Sequence, residues 1–255
     1  MPIHGTVIDS GKPSVTKGLL FNVSSFDTES YGGAGRYWKC TVSGELGVCT
    51  TNKSDTLTAN KDPEIIIDPY AGIVFDIRGS NTVYDPPSGW WHWDGGTSTF
   101  PHDDEARTYS TWVKLDTVNS CNAFGGQDGN PTWGSGHDTA SAFGFVERGD
   151  GYEIIGHGYD KKSDWSEGTT GRWLNLVASY DSSYLYFYRN GEYIGTVSCG
   201  AFDTAQNNFF IGRGWSKSDL QAMDGQVAHW SIWDRALSAR EVNLNFQHMR
   251  TRFGV

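Results

Sequence analysis

Residues 182–198 read SSYLYFYRNGEYIGTVS, and the fold turns on this run. At its centre Asn190-Gly191 is a two-residue loop suited to a type I′ turn, in which both central residues take positive φ. Side chains alternate across a strand, so Leu185 and Phe187 share one face while Tyr184, Tyr186 and Tyr188 share the other. The stretch is therefore an antiparallel hairpin with one apolar row for a core. The tyrosine row belongs to a face that is half wet, or to one beneath a second layer.

The flanking sequence repeats the pattern. RWLNLVASYD (172–181) leads into the hairpin, and GLLFNV (18–23), GIVFDI (72–77), ARTYSTWVKLD (106–116), AFGFVE (142–147) and YEIIGH (152–157) precede it. Each is bounded by Gly, Asp, Asn or Ser, as the strands of a sandwich are. Only the C-terminus reads as helix: Ser238 and Glu241 make an S-x-x-E capping box, with Val242 and Phe246 four apart behind it. Residues 1–16 read as a polar N-terminal arm and 17–255 as a single domain, without an internal repeat or charge block.

Composition agrees. Among 255 residues, 32 Gly together with 13 Phe, 12 Tyr and 11 Trp indicate a turn-rich, folded, all-β chain, since disordered chains lack aromatics. The formal charge of −10 disfavours nucleic acid and anionic membrane surfaces, which reward basic patches. No apolar run approaches the ~18 residues of a membrane span, and the first residues lack the charged-then-apolar order of a signal peptide. Cys40, Cys49, Cys121 and Cys199 form no C-x-x-C; Cys40 and Cys49 either close a short loop or remain buried thiols.

The C-terminal half, RWLNLVASYDSSYLYFYRNGEYIGTV, NNFFIGRG and MDGQVAHWSIWDRALSAREV, resembles the laminin G-like branch of the concanavalin A-like jelly rolls. Trp173, Asp181, Asn190-Gly191, Gly212, Asp224-Gly225 and Arg235-Ala236-Leu237-Ser238 stand at that pattern's positions. The opening GLLFNVSSFDTESYGGAGRYWK (18–39) and the ending NFQHMRTRFGV (245–255) are similar to a subgroup encoded by tailed bacteriophages. The resemblance implies a β-sandwich jelly roll of antiparallel strands with a short C-terminal helix. It also implies a virion structural or decoration protein, made in the host cytoplasm. Its expected partners are other virion subunits, copies of itself as a homo-oligomer, and host-surface polysaccharide.

Some relatives hold calcium with carboxylates at two places that here read Phe75-Asp76-Ile77-Arg78-Gly79-Ser80 and Asp224-Gly225-Gln226-Val227-Ala228-His229. Ca²⁺ takes six to eight oxygens; of the implied ligands only Asp76 and Asp224 remain, so no cofactor is expected and calcium stays an open alternative. Sugar hydrolysis needs two carboxyl groups roughly 5–10 Å apart. No E-x-D-x-x-E strand supplies them, and the successive residues of His102-Asp103-Asp104-Glu105 would point to opposite faces. A non-enzymatic protein is expected; a glycosidase or polysaccharide lyase on the same fold, and structural cement without a ligand, are the alternatives.

One stretch stands apart: PSGWWHWDGG (87–96), an aromatic cluster between turn formers in an extended connection. As a loop it could form a stacking platform, with indole faces on a pyranose and Asp and His bonding its hydroxyls. It could equally plug the end of the core or anchor a neighbouring subunit. Trp90, Trp91, His92, Trp93 and Asp94 are thus candidate carbohydrate-binding residues, joined by Trp133, Trp165 and Trp215 in other Gly-, Ser- and Asp-rich loops.

Overall fold

The computed structural model describes residues 11–50, 63–78, 89–93, 100–118, 122–127, 140–148, 151–156, 158–163, 170–206, 208–213 and 222–255. In chain order the strands are β1 (Leu19–Ser24), β2 (Tyr37–Lys39), β3 (Leu46–Thr50), β4 (Ile65–Asp68), β5 (Gly72–Arg78), β6 (Trp90–Trp93), β7 (Arg107–Leu115), β8 (Asn122–Gln127), β9 (Phe143–Arg148), β10 (Gly151–Ile155), β11 (Lys161–Lys162), β12 (Trp173–Tyr180), β13 (Tyr184–Arg189), β14 (Glu192–Ser198), β15 (Phe209–Ile211) and β16 (Asp224–Trp233). Helix α1 (Ala239–Met249) and a 3-10 turn (Arg250–Phe253) follow. No helix among the described residues is long and apolar enough to cross a membrane.

Two antiparallel sheets face each other. The first runs β14-β13-β12-β7-β16-β5-β4, with β1 also on β16; the second runs β11-β10-β9-β8-β15-β6-β3-β2. β16 serves two partners on one side, and against β7 on the other side its register shifts between Val227 and His229. Its first half, Asp224–Val227, pairs with β5, and its second half pairs with β1. The expected hairpin is β13–β14, turning through Asn190 at φ 50° and Gly191 at φ 76°.

Alternation supplies the core. Leu185 and Phe187 are fully buried between the sheets with Phe21, Tyr109, Leu176 and Trp230 from the first sheet. Phe124, Phe143, Phe145, Phe209 and Ile211 meet them from the second. The opposite face of the first sheet is covered by the chain's end. Ser238 and Glu241 form the capping box, and Val242, Phe246 and Met249 lie buried along one stripe of α1. Phe253 stacks on Trp112 of β7 at 3.9 Å with planes 7° apart.

Residues 11–17 lie on that same side: the Val15 N–H donates to Asn245 Oδ1 at 2.8 Å, and Trp233 Nε1 donates to the Val15 carbonyl at 2.9 Å. Cys40 and Cys49 are buried in the core and carry no disulfide between them; the Asn22 N–H points at Cys40 Sγ, 3.5 Å away. Cys121 lies outside the described residues.

Candidate functional site

The tryptophan run is not a loop. Trp90–Trp93 form β6, hydrogen-bonded between β15 and β3. Four consecutive large residues suit a strand buried on both faces, where the period of two sends alternate rings to opposite sides. Trp91 and Trp93 enter the core: Trp93 meets Phe21 edge-on at 5.1 Å, and Trp91 lies 5.2 Å from Trp38. A Cβ on Gly47 would sit 2.2 Å from the Trp93 ring, so only glycine lets that ring lie against β3.

Trp90 and His92 take the outer face of the second sheet. Phe210 stacks on His92 at 5.1 Å, and the Arg213 guanidinium lies 4.6 Å over Trp90. None of residues 90–93 is more than 8% exposed, so none offers an open ring face to a sugar. Asp94, Trp133, Trp165 and Trp215 lie outside the described residues.

The two implied calcium ligands meet at one end of the first sheet, where β16 pairs with β5, and both Asp76 oxygens and Asp224 Oδ2 have protein partners. Asp76 Oδ2 accepts from Arg78 Nε at 2.8 Å and Oδ1 from Gln226 Nε2 at 3.1 Å. Gln226 Nε2 also reaches Asp116 Oδ2 at 2.9 Å, while Asp224 Oδ2 accepts from Thr117 Oγ1 at 2.6 Å. Burial pushes the Asp116 carboxyl up, and nearby Asp76 and Asp224 push the same way. Among the described residues no His, Cys, Asp and Glu cluster is arranged to hold a metal ion.

Among the described residues Tyr70 and Tyr37 are exposed singly, and a row of neighbouring tyrosines lies on the outer side of the β13–β14 hairpin. Tyr184 is 44% exposed and Tyr193 54%, while Tyr188 is buried and Tyr186 lies between. Tyr184 and Tyr186 have ring centroids 6.2 Å apart, and Tyr188 meets Tyr193 across the ladder at 5.8 Å. Asp181 fixes the start of the row. Its Oδ1 accepts from the Ser183 and Tyr184 N–H groups at 3.0 and 2.7 Å, and its Oδ2 from the Tyr186 hydroxyl at 3.0 Å. That last bond raises the Tyr186 phenol pKa, and burial pushes that of Tyr188 up to about 12. Both hydroxyls are neutral at physiological pH.

Tyr186 and Tyr188 form one side of a groove of about 360 Å³, whose other lining is Ala236, Leu237, Ser238 and Ala239. That wall is the corner between β16 and α1. It is held by the Thr108 hydroxyl, which donates to the Arg235 carbonyl at 2.8 Å and accepts from the Leu237 N–H at 2.9 Å. Arg235 clamps Glu241 of the capping box, with Nη2 to Oε1 at 2.7 Å; the guanidinium holds the Glu241 carboxyl down at about 2. A pyranose's apolar face suits a tyrosine ring, and its hydroxyls suit the polar rim. The alternation of the hairpin reveals the tyrosine row, but none of its residues is among the tryptophan-centred candidates. The wall at 236–239 has no local signal of a groove.

The family model described as Laminin_G_3, concanavalin A-like lectin/glucanases superfamily, matches residues 93–243, more than half of the chain. Domain 4 of an extracellular arabinanase from Geobacillus stearothermophilus, solved in complex with arabinotriose, superposes with a TM-score of 0.58 at 17% identity, covering 89% of this chain and 98% of that one. A Trypanosoma rangeli sialidase in complex with sialic acid gives 0.60 at 15%, over 93% of this chain and 34% of that one. The binding domain of botulinum neurotoxin serotype D gives 0.57 at 14%, over 92% and 51%. At these identities the likeness is one of fold, and this chain spans about half of the toxin domain and a third of the sialidase. No curated protein matches the sequence.

Proposed function

The chain belongs to the concanavalin A-like lectin/glucanases superfamily, and on that premise we propose that it is a non-enzymatic carbohydrate-binding protein, carried on a virion, that holds the particle to host-surface polysaccharide. The observation that carries the binding reading is the tyrosine row: exposed rings beside a groove, on a face whose neighbours are hydroxyls and a carboxylate. The arabinotriose complex of the arabinanase domain supports the sugar class. The virion placement is supported by the two chain ends, 18–39 and 245–255, which resemble phage-encoded laminin G-like proteins.

The competing reading is a glycosidase. Asp76 and Asp116 do converge on one Gln226 amide nitrogen. Arg78 and Gln226 pin the Asp76 carboxylate, however, and pinned carboxylates suit a structural tie better than a shuttling proton.

Affinity electrophoresis through gels cast with host polysaccharides, run with calcium and with chelator, tests the proposal. The wild type should be retarded and a Tyr184→Ala/Tyr193→Ala variant should run freely. Free migration of the wild type on every gel refutes carbohydrate binding, and a cleared zone establishes an enzyme.

A further inference from the structure

The tyrosine row is longer than one sugar ring. From its geometry we infer that the site holds a neutral glycan chain by at least two successive rings, not by a single terminal sugar; this rests on the carbohydrate-binding reading above. Residues two apart on a strand are separated by about 6.8 Å, and Tyr184 and Tyr186 keep that spacing, with centroids 6.2 Å apart. One pyranose covers one such face, so the row presents two, with ring planes 44° apart.

The two ends of the row differ. Tyr186 and Tyr188 are walled by residues 236–239, whereas Tyr184 lies outside the groove and is open. A sugar seated in the groove therefore leaves its chain free to continue over Tyr184. Ser198 and Thr196 stand opposite Tyr184 and Tyr186 across the hairpin ladder, and the Thr196 hydroxyl donates to the Leu185 carbonyl at 2.9 Å.

Charge selects the class. The Asp181 carboxylate touches the Tyr186 hydroxyl at 3.0 Å. Arg235, beside the groove wall, is already paired with Glu241 at 2.7 Å. An acidic sugar would meet a carboxylate and find that guanidinium spent, whereas a neutral chain meets no such opposition.

A printed array decides it, carrying linear glucose, xylose and N-acetylglucosamine oligomers from one ring to six, with oligogalacturonates of the same lengths. Retention should rise about two- to tenfold with the second ring in at least one neutral series, and the uronates should not be retained. Tyr184→Ala should weaken retention and remove the gain with length, and Tyr184→Phe should keep the gain. Circular dichroism would show that both variants fold, as the exposed position leads one to expect. Equal retention of monosaccharide and hexasaccharide, or retention of uronates at the neutral level, overturns the inference while carbohydrate binding stands. No retention on the array or on the polysaccharide gels overturns both.

Discussion

Trp93→Ala separates a ring that builds the fold from one that binds a ligand. Trp93 is 1% exposed, edge-on to Phe21 at 5.1 Å and 6.0 Å from Trp38, with Gly47 beneath it. Truncation removes an indole from a closed space lined by rigid rings and backbone, so little collapse can fill the void. Large-to-alanine changes at such sites cost about 3–5 kcal/mol, out of a total stability of roughly 5–15 kcal/mol. At about 2–4 °C per kcal/mol for a chain of this size, the midpoint of thermal unfolding should fall by roughly 6–20 °C. Tyr184→Ala, at an exposed edge-hairpin position, should cost within about 0.5 kcal/mol. Urea unfolding followed by circular dichroism measures both, and affinity electrophoresis of the folded proteins completes the comparison. A Trp93→Ala protein within 1 kcal/mol of wild type would refute the core placement. A stable Trp93→Ala protein that had lost only its glycan retention would return the tryptophan run to the binding site.

Three further outcomes are expected. His229 is fully buried, with Nε2 2.9 Å from Asn22 Oδ1 and 3.2 Å from Ser231 Oγ, and burial lowers its pKa to about 3. The unfolded chain, with an ordinary imidazole near 6.5, therefore binds the extra proton between pH 6.5 and 3, and stability should fall as pH drops through that window by up to about 1.4 kcal/mol per unit. His229→Gln should flatten that slope in urea titrations at successive pH values; an unchanged slope would assign the loss to other groups. Glu241, held at about 2 by Arg235, stabilises the corner above the ordinary carboxylate range. That contribution should fade as pH falls from about 4.5 toward 2, so the stabilities of Glu241→Gln and wild type should converge near pH 2. Gly191 sits at φ 76°, and a Cβ there would meet Phe246 at 2.8 Å; Gly191→Ala should cost about 1–2 kcal/mol by thermal denaturation.

What could be read in the sequence was local. Asn190-Gly191 specified the hairpin because few residues accept positive φ in succession. The alternation of Leu185 and Phe187 with the tyrosines specified which face is buried because a strand has a period of two. Ser238 and Glu241 specified the helix start because their side chains satisfy its first N–H groups within one turn. The strands β2, β4, β6, β11 and β15 escaped because two to four residues are too few to show a period, and β3 and β8 because glycine interrupts their alternation amid turn formers. Trp90–Trp93 shows the limit most clearly. Flanked by Ser88-Gly89 and Asp94-Gly95-Gly96, it has the composition of a loop, and it becomes a strand through pairing with Phe209–Ile211 and Val48–Thr50. The groove is of the same kind: its tyrosines belong to one hairpin and its wall to residues some fifty positions later, brought together when Thr108 of β7 ties down the corner after β16. Turn chemistry, alternation and capping act within a few residues and are written in order along the chain. Sheet order and the packing of distant rings depend on which segments meet, and that was decided only by the tertiary structure.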